Sequence, residues 1–160
     1  MDINLDVFRK SYLVAGLTDE DVRKVAMLAT TVEFRPGHNI VTYGSQDLDV
    51  YIIISGSANV MRRGEALLGT CGVGSVIGEV ALVDNQPRSA TVVARNGNVT
   101  CAKIDGQALR KFIFQNKEIG FMMVTNIARI LAMRLREASG TIEDLRGHVS
   151  DLWLYKDQKK

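Results

Sequence analysis

Between Thr31 and Ile104 the chain is a series of short apolar segments cut at nearly regular intervals by glycine, and few folds accept that pattern. The segments are Thr31–Arg35, Asn39–Thr42, Val50–Ser55, Ala58–Arg62, Ala66–Thr70, Ala90–Arg95 and Asn98–Ile104. The breaks fall at Pro36-Gly37, Gly44, Gly56, Gly64, Gly72 and Gly74, and Asn96-Gly97. Many short strands with turn residues between them predict an antiparallel barrel or roll. Both flanks read as helical. Thr18-Asp-Glu-Asp21 resembles a capping signal, with Asp at the place usually held by Glu, ahead of Val22, Val25, Ala26 and Ala29 at helical spacing. From Gln107 onward glycine becomes rare and the pattern is again helical. The expected class is α+β: an antiparallel β-roll, of the double-stranded β-helix or jelly-roll kind, with N-terminal helices and a long C-terminal helix. Residues 1–30 form the N-terminal helical segment, 31–116 the roll, 117–155 the C-terminal helix and 156–160 a tail.

Composition removes several classes of function. With 20 Lys plus Arg against 18 Asp plus Glu, the net charge of +2 leaves no whole-chain electrostatic footprint for nucleic acid or anionic lipid. No apolar run approaches the roughly 20 residues of a membrane-spanning helix. The N-terminus lacks a basic stretch before an apolar core and does not read as a signal peptide, so the expected compartment is the cytoplasm. Two cysteines, Cys71 and Cys101, make neither a disulfide framework nor a four-ligand zinc site. Both fall in strand patterns and read as small buried thiols. His38 follows Pro36-Gly37 and reads as a turn residue.

The C-terminal helical stretch carries the clearest periodicity. Phe121, Val124, Ala128, Leu131, Leu135, Ala138, Ile142, Leu145, Val149 and Leu152 alternate spacings of three and four, a heptad seam. A second stripe, Met123, Ile127 and Ile130, widens the apolar face in the first half only. A wide face buries against its own domain and still presents a side to a partner, whereas a narrow seam suits pairing with another helix. The expectation is a homodimer through this helix. Ser139-Gly140-Thr141 leaves open whether the helix is continuous.

The segment Gly74 to Thr91 carries the chemistry. Gly78 has no Cβ to keep a ligand from the backbone. Glu79-Val-Ala-Leu-Val favours a short helical turn whose free N–H groups suit an anion. Arg88, just past Pro87, is a cation able to grip the same anion with two parallel N–H bonds. Glu79 stands where it can accept from sugar hydroxyls. One anion, one diol and an apolar pocket outline a small nucleotide.

Ile77-Gly-Glu-Val-Ala-Leu-Val followed by Pro87-Arg-Ser-Ala-Thr91 resembles the phosphate-binding cassette of the cyclic nucleotide-binding domains, as found in catabolite activator-type regulators, kinase regulatory subunits and gated channels. Phe34-Arg-Pro-Gly37, Ile40 to Gly44 and Tyr51-Ile-Ile-Ile-Ser-Gly56 match the family's strand-turn order, and the likeness covers about residues 10 to 138. The resemblance implies a binding module rather than an enzyme, with no catalytic residue, metal or cofactor and with cAMP or cGMP as ligand. By the same resemblance Glu79 accepts from the ribose 2′-hydroxyl and Arg88 pairs with the cyclic phosphate. Backbone N–H groups of Gly78, Glu79, Val80 and Ala81, with the Ser89 hydroxyl beside Ala90, complete the phosphate shell. Val73, Ile77, Leu82 and Val92 are candidates for apolar contact. Relatives reach the purine from the helix after the roll, which makes Arg134 a candidate donor, set against a plain solvated arginine beside Arg136 and Glu137. Ser89 does not decide the base, and cAMP is only the first choice. Trp153 and Tyr155 are candidate lid residues, set against aromatics that are exposed or packed in the dimer.

Eight residues follow Leu152, too few for a helix-turn-helix, so no DNA-binding domain is expected in this chain, and no membrane partner. Two alternatives stand beside the sensor. One is a structural or partner-binding homodimer with a degenerate pocket. The other is a cupin-like metal enzyme, which needs two or three histidines inside the roll where only His38 is available.

Overall fold

The computed structural model describes residues 4–62 and 66–157, and the side chains among them as far as Ser139. Gly64, one of the predicted breaks, lies outside them. The chain forms two compact units, Met1–Asn126 and Ile127–Lys160.

In the first unit two short helices, α1 (Leu5–Phe8) and α2 (Asp19–Ala26), flank a 3-10 turn at Tyr12–Val14. The predicted cap on α2 is present: the Asp21 N–H donates to Thr18 Oγ1 at 3.3 Å, and the Thr18 hydroxyl donates to the Asp21 carboxylate at 2.7 Å. Val22, Val25 and Ala26 are buried as the helical spacing requires. Ala29 departs from the expectation. It opens a strand instead of closing the helix, because its backbone pairs with Ile104.

Six strands follow: β1 (Ala29–Phe34), β2 (Asn39–Val41), β3 (Val50–Arg62), β4 (Ala66–Cys71), β5 (Val76–Ile77) and β6 (Thr91–Ile104). All pairings are antiparallel, in the order β1-β6-β3-β4, with β2 joined to β6 and β5 to β3. This is the predicted antiparallel roll with flanking helices. Two of its glycine breaks do not end strands. β3 runs through Gly56 and β6 through Asn96-Gly97, and the β3–β6 register slips between Ile53 and Ser55 and again across Gly56, between Ser55 and Ser57. Gly56 has φ +87, and a Cβ there would lie 2.6 Å from the Asn98 carbonyl oxygen. Glycine therefore bends the ladder as a bulge rather than stopping it.

The roll closes on Ile40, Val41, Tyr51, Ile53, Ala58, Ile77, Val92, Ala94, Val99 and Cys101. Phe34 and Tyr51 meet edge to face, with ring centroids 5.9 Å apart. Cys101 is buried as expected, which pushes its thiol up to about 12. His38 sits in its predicted turn, where its N–H donates to the Arg35 carbonyl at 3.1 Å.

Beyond the roll lie α4 (Gly106–Gln115) and α5 (Lys117–Asp157). α5 is one continuous helix across Gly140, which settles the question left open by Ser139-Gly140-Thr141. Asn126 is buried and donates its side-chain amide to the Ala15 carbonyl at 2.8 Å, tying the start of α5 to the N-terminal turn. The two stripes read from the periodicity separate. Met123 and Ile127 are buried, whereas Phe121 is 75% exposed and Leu135 is 68% exposed. The seam residues Ile142, Leu145, Val149 and Leu152, and the aromatics Trp153 and Tyr155, lie outside the described side chains. No helix among the described residues is long and apolar enough to cross a membrane.

Candidate functional site

The cassette sits between β5 and β6. β5 ends at buried Ile77, and Gly78 then takes a left-handed φ of +95 as N-cap of α3 (Glu79–Asp84). That conformation costs most L-residues roughly 1–2 kcal/mol, so the backbone favours glycine. It is required by space, since a Cβ at Gly78 would overlap an Arg88 guanidinium nitrogen. Gly78 caps the helix without a side chain, so the first-turn amides of Glu79, Val80 and Ala81 start a helix with no side-chain acceptor from their cap. Glu79 is 3% exposed, an unusual depth for a carboxylate. Ala81 and Leu82 are buried behind it.

Arg88 is held from inside. It is 3% exposed, and its guanidinium donates to the Gly78 carbonyl at 3.2 Å, to the Asp49 carbonyl at 2.5 Å and to the Asp47 carboxylate. Its backbone is pinned on both sides: its N–H donates to the Ser45 carbonyl at 2.8 Å, and its carbonyl accepts from Gly44 at 2.9 Å. Burial would push the Asp47 carboxyl up, yet the hydrogen bonds from Arg88 and the Ser45 hydroxyl hold it below the ordinary carboxylate value. Asp49 is fixed in turn by Lys103 at 2.8 Å. One guanidinium nitrogen is left over. Arg88 Nε is buried with no hydrogen-bond partner among the described residues, which is costly for a charged group unless an acceptor arrives.

The structure thus brings Ile77, Gly78, Glu79, Val80, Ala81, Leu82, Arg88, Ser89 and Ala90 into one turn-and-strand assembly. Ser89 is exposed at its rim beside a cavity of about 430 Å³ lined by Tyr43, Gly44, Arg62, Pro87, Arg88 and Ser89. That volume lies within the usual range of small-ligand sites. Val92 belongs to the roll's core, whereas Val73 is exposed. Arg134 lies on α5 in the second unit and is exposed. Asp47 and Asp49, which hold Arg88, were missed in the sequence, as were Tyr43 and Arg62 at the cavity. A signal for the first pair did exist: a buried arginine requires an acceptor, and Gly44-Ser-Gln-Asp-Leu-Asp49 is the polar loop leading into β3. Among the described residues no group of three or more His, Cys, Asp or Glu could hold a metal ion.

A family model for the cyclic nucleotide-binding domain matches residues 31–116, more than half of the chain. The chain belongs to the cyclic nucleotide-binding domain family. The domain is 29% identical over 146 residues to a CRP-like cAMP-activated global transcriptional regulator of Mycobacterium tuberculosis, covering 88% of this chain and 62% of that protein. The chain therefore spans about three fifths of the length of that relative. Among solved structures, the Thermus thermophilus catabolite activator protein superposes with a TM-score of 0.73 at 27% identity, over 84% of this chain and 63% of the other. A putative cyclic nucleotide-binding protein from Geobacter metallireducens shares the fold, with a TM-score of 0.71 at 21% identity, over 83% of this chain and 98% of that one.

In this cyclic nucleotide-binding domain the Gly78 backbone and the Arg88 side chain occupy one tight contact. Gly78→Ala is therefore expected to displace the guanidinium and weaken cyclic nucleotide binding by at least about tenfold, with overpacking contributing on the order of 1–3 kcal/mol and left-handed strain roughly 1–2 kcal/mol. A fluorescent cyclic nucleotide displacement assay reads this directly, and wild-type affinity in the variant would contradict the contact.

Proposed function

We propose that the chain is a non-enzymatic cyclic nucleotide sensor. The cyclic phosphate of cAMP or cGMP is held by Arg88, by the Ser89 hydroxyl and by the backbone amides from Gly78 to Ala81. Glu79 accepts from the ribose 2′-hydroxyl, and Ile77 and Leu82 supply apolar contact. The observation that carries this reading is the buried Arg88, whose Nε has no partner among the described residues although its other nitrogens are pinned by Asp47 and two carbonyls. A buried guanidinium with an unused donor suits an anionic ligand. The name of the mycobacterial relative favours cAMP as the first ligand to test.

The output is read as passing through α5 in a homodimer. Phe121 and Leu135 leave their apolar side chains exposed while the neighbouring stripe is buried. The same three-four spacing runs on in the sequence to Leu152, and a second copy of the same seam is the partner such a heptad face fits.

Calorimetric titration with cAMP and cGMP separately tests the proposal. Saturable binding of one or both at one site per chain is expected. No heat and no displacement with either nucleotide would leave the degenerate-pocket homodimer as the better reading. Stoichiometric transition metal in the purified protein would instead favour the cupin-like enzyme.

A further inference from the structure

α3 has six residues, too few for a helix to hold itself in water. Its far end is fixed by a side chain from another element. Arg110, on α4, donates from Nε and Nη2 to the Leu82 carbonyl at 3.0 and 2.6 Å, and from Nη2 to the Ala81 carbonyl at 3.4 Å. Its Nη1 donates to the Asn85 side-chain oxygen at 3.0 Å. Asn85 is the C-cap of α3 in a left-handed conformation, φ 58. The last carbonyls of a helix carry the negative end of its dipole and have spare acceptor capacity; here the Ala81 carbonyl also accepts from the Asn85 N–H at 3.0 Å. A planar guanidinium fork is suited to both needs, since it offers several donors and a cation at once. The same six residues begin with the first-turn amides of the cassette. Arg110 is thus rooted in α4 while its charged end grips the helix that frames the ligand.

We propose that Arg110 is a positioning residue of the cassette: it sets the tilt of α3 for the ligand and makes α4 move with α3 when the cassette is occupied. The proposal rests on the cyclic nucleotide reading of that cassette. A ligand that draws the first turn of α3 toward itself also moves the carbonyls of Ala81 and Leu82. Those carbonyls are hydrogen-bonded to one side chain of α4, so the displacement reaches α4 without passing through the sheet.

The test uses the full chain as wild type, Arg110→Met, Arg110→Lys and Asn85→Gly. The last keeps a residue that tolerates positive φ while removing one acceptor. Each is titrated with cAMP and cGMP, and amide hydrogen exchange is followed by mass spectrometry with and without saturating nucleotide. In wild type, nucleotide slows exchange in peptides covering 79–84 and in peptides covering 106–115. Arg110→Met binds about tenfold more weakly, the scale of lost hydrogen bonds to a charged group. At saturation it slows exchange in α3 alone. Arg110→Lys retains a cation without the fork and recovers part of the α4 response, a rescue that a loss of general stability does not give. Asn85→Gly moves both readouts in the same direction by less. An α4 response in Arg110→Met equal to wild type overturns the proposal. If Arg110→Met does not fold, an unaltered α4 response in both Arg110→Lys and Asn85→Gly overturns it equally. Absence of any nucleotide binding by wild type is a different result, because it removes the cassette reading itself and the role of Arg110 with it.

Discussion

Arg88→Ala loses cyclic nucleotide binding by roughly two to three and a half orders of magnitude, the factor that corresponds to the 3–5 kcal/mol cost of removing one partner from a buried ionic pair. The size of the effect follows from where the guanidinium sits. A surface arginine facing a phosphate is screened by water and contributes little, but Arg88 is 3% exposed, so a phosphate paired with it as proposed is screened far less. Alanine also removes a donor from the Gly78 and Asp49 carbonyls and the charge partner of the Asp47 carboxylate. Arg88→Lys is expected to recover only a small part, because an ammonium cannot reproduce a planar fork that reaches those acceptors together. Calorimetry with wild type and both variants, alongside thermal unfolding without ligand, separates lost phosphate contact from lost packing. Equal affinity in wild type and Arg88→Ala would remove the phosphate role from this residue.

On the proposed homodimer reading, Leu135→Glu combined with Leu145→Glu is expected to convert the dimer to a monomer. Leu135 exposes 68% of its surface on the described helix, and Leu145 falls on the same heptad seam in the sequence. Burying a leucine contributes about 1.5–3 kcal/mol, and a two-fold axis counts each position twice. Glutamates brought together along a seam repel one another and must shed water to pair, so the change is repulsive as well as a loss of apolar contact. Light scattering on wild type should give twice the chain mass, and on the double variant the chain mass. An unchanged mass would refute the seam.

The roll and the cassette were legible because their signals are local. A glycine between two apolar segments marks a change of backbone direction, and Gly78-Glu79 with Pro87-Arg88 lies within one short stretch of chain. Strand continuity through Gly56 was not legible, since the same residue type serves a turn and a bulge and only the partner strand decides which. The end of α2 was misplaced for a similar reason: pairing with Ile104, far along the chain, decides the fate of Ala29. Continuity of α5 across Gly140 was open because a single interior glycine costs about 1 kcal/mol, too little to end a long helix by itself. Asp47 and Arg110 were harder to place for a further reason. Their partners, Arg88 and Leu82, lie far off in sequence: the polar loop that carries Asp47 signals that acceptors are at hand, but only the fold decides which arginine meets them.

β6 pairs with β1, β2 and β3, whereas β4 and β5 pair with β3 alone. A nascent chain that has emerged only as far as α3 can therefore zip up β3 with β4 and β5 but has nothing to receive β1 or β2. The strand that contributes Thr91, just past Arg88, is the same strand that closes the sheet. On the proposed reading, assembly of the ligand cassette and completion of the sheet thus fall in one late, long-range step.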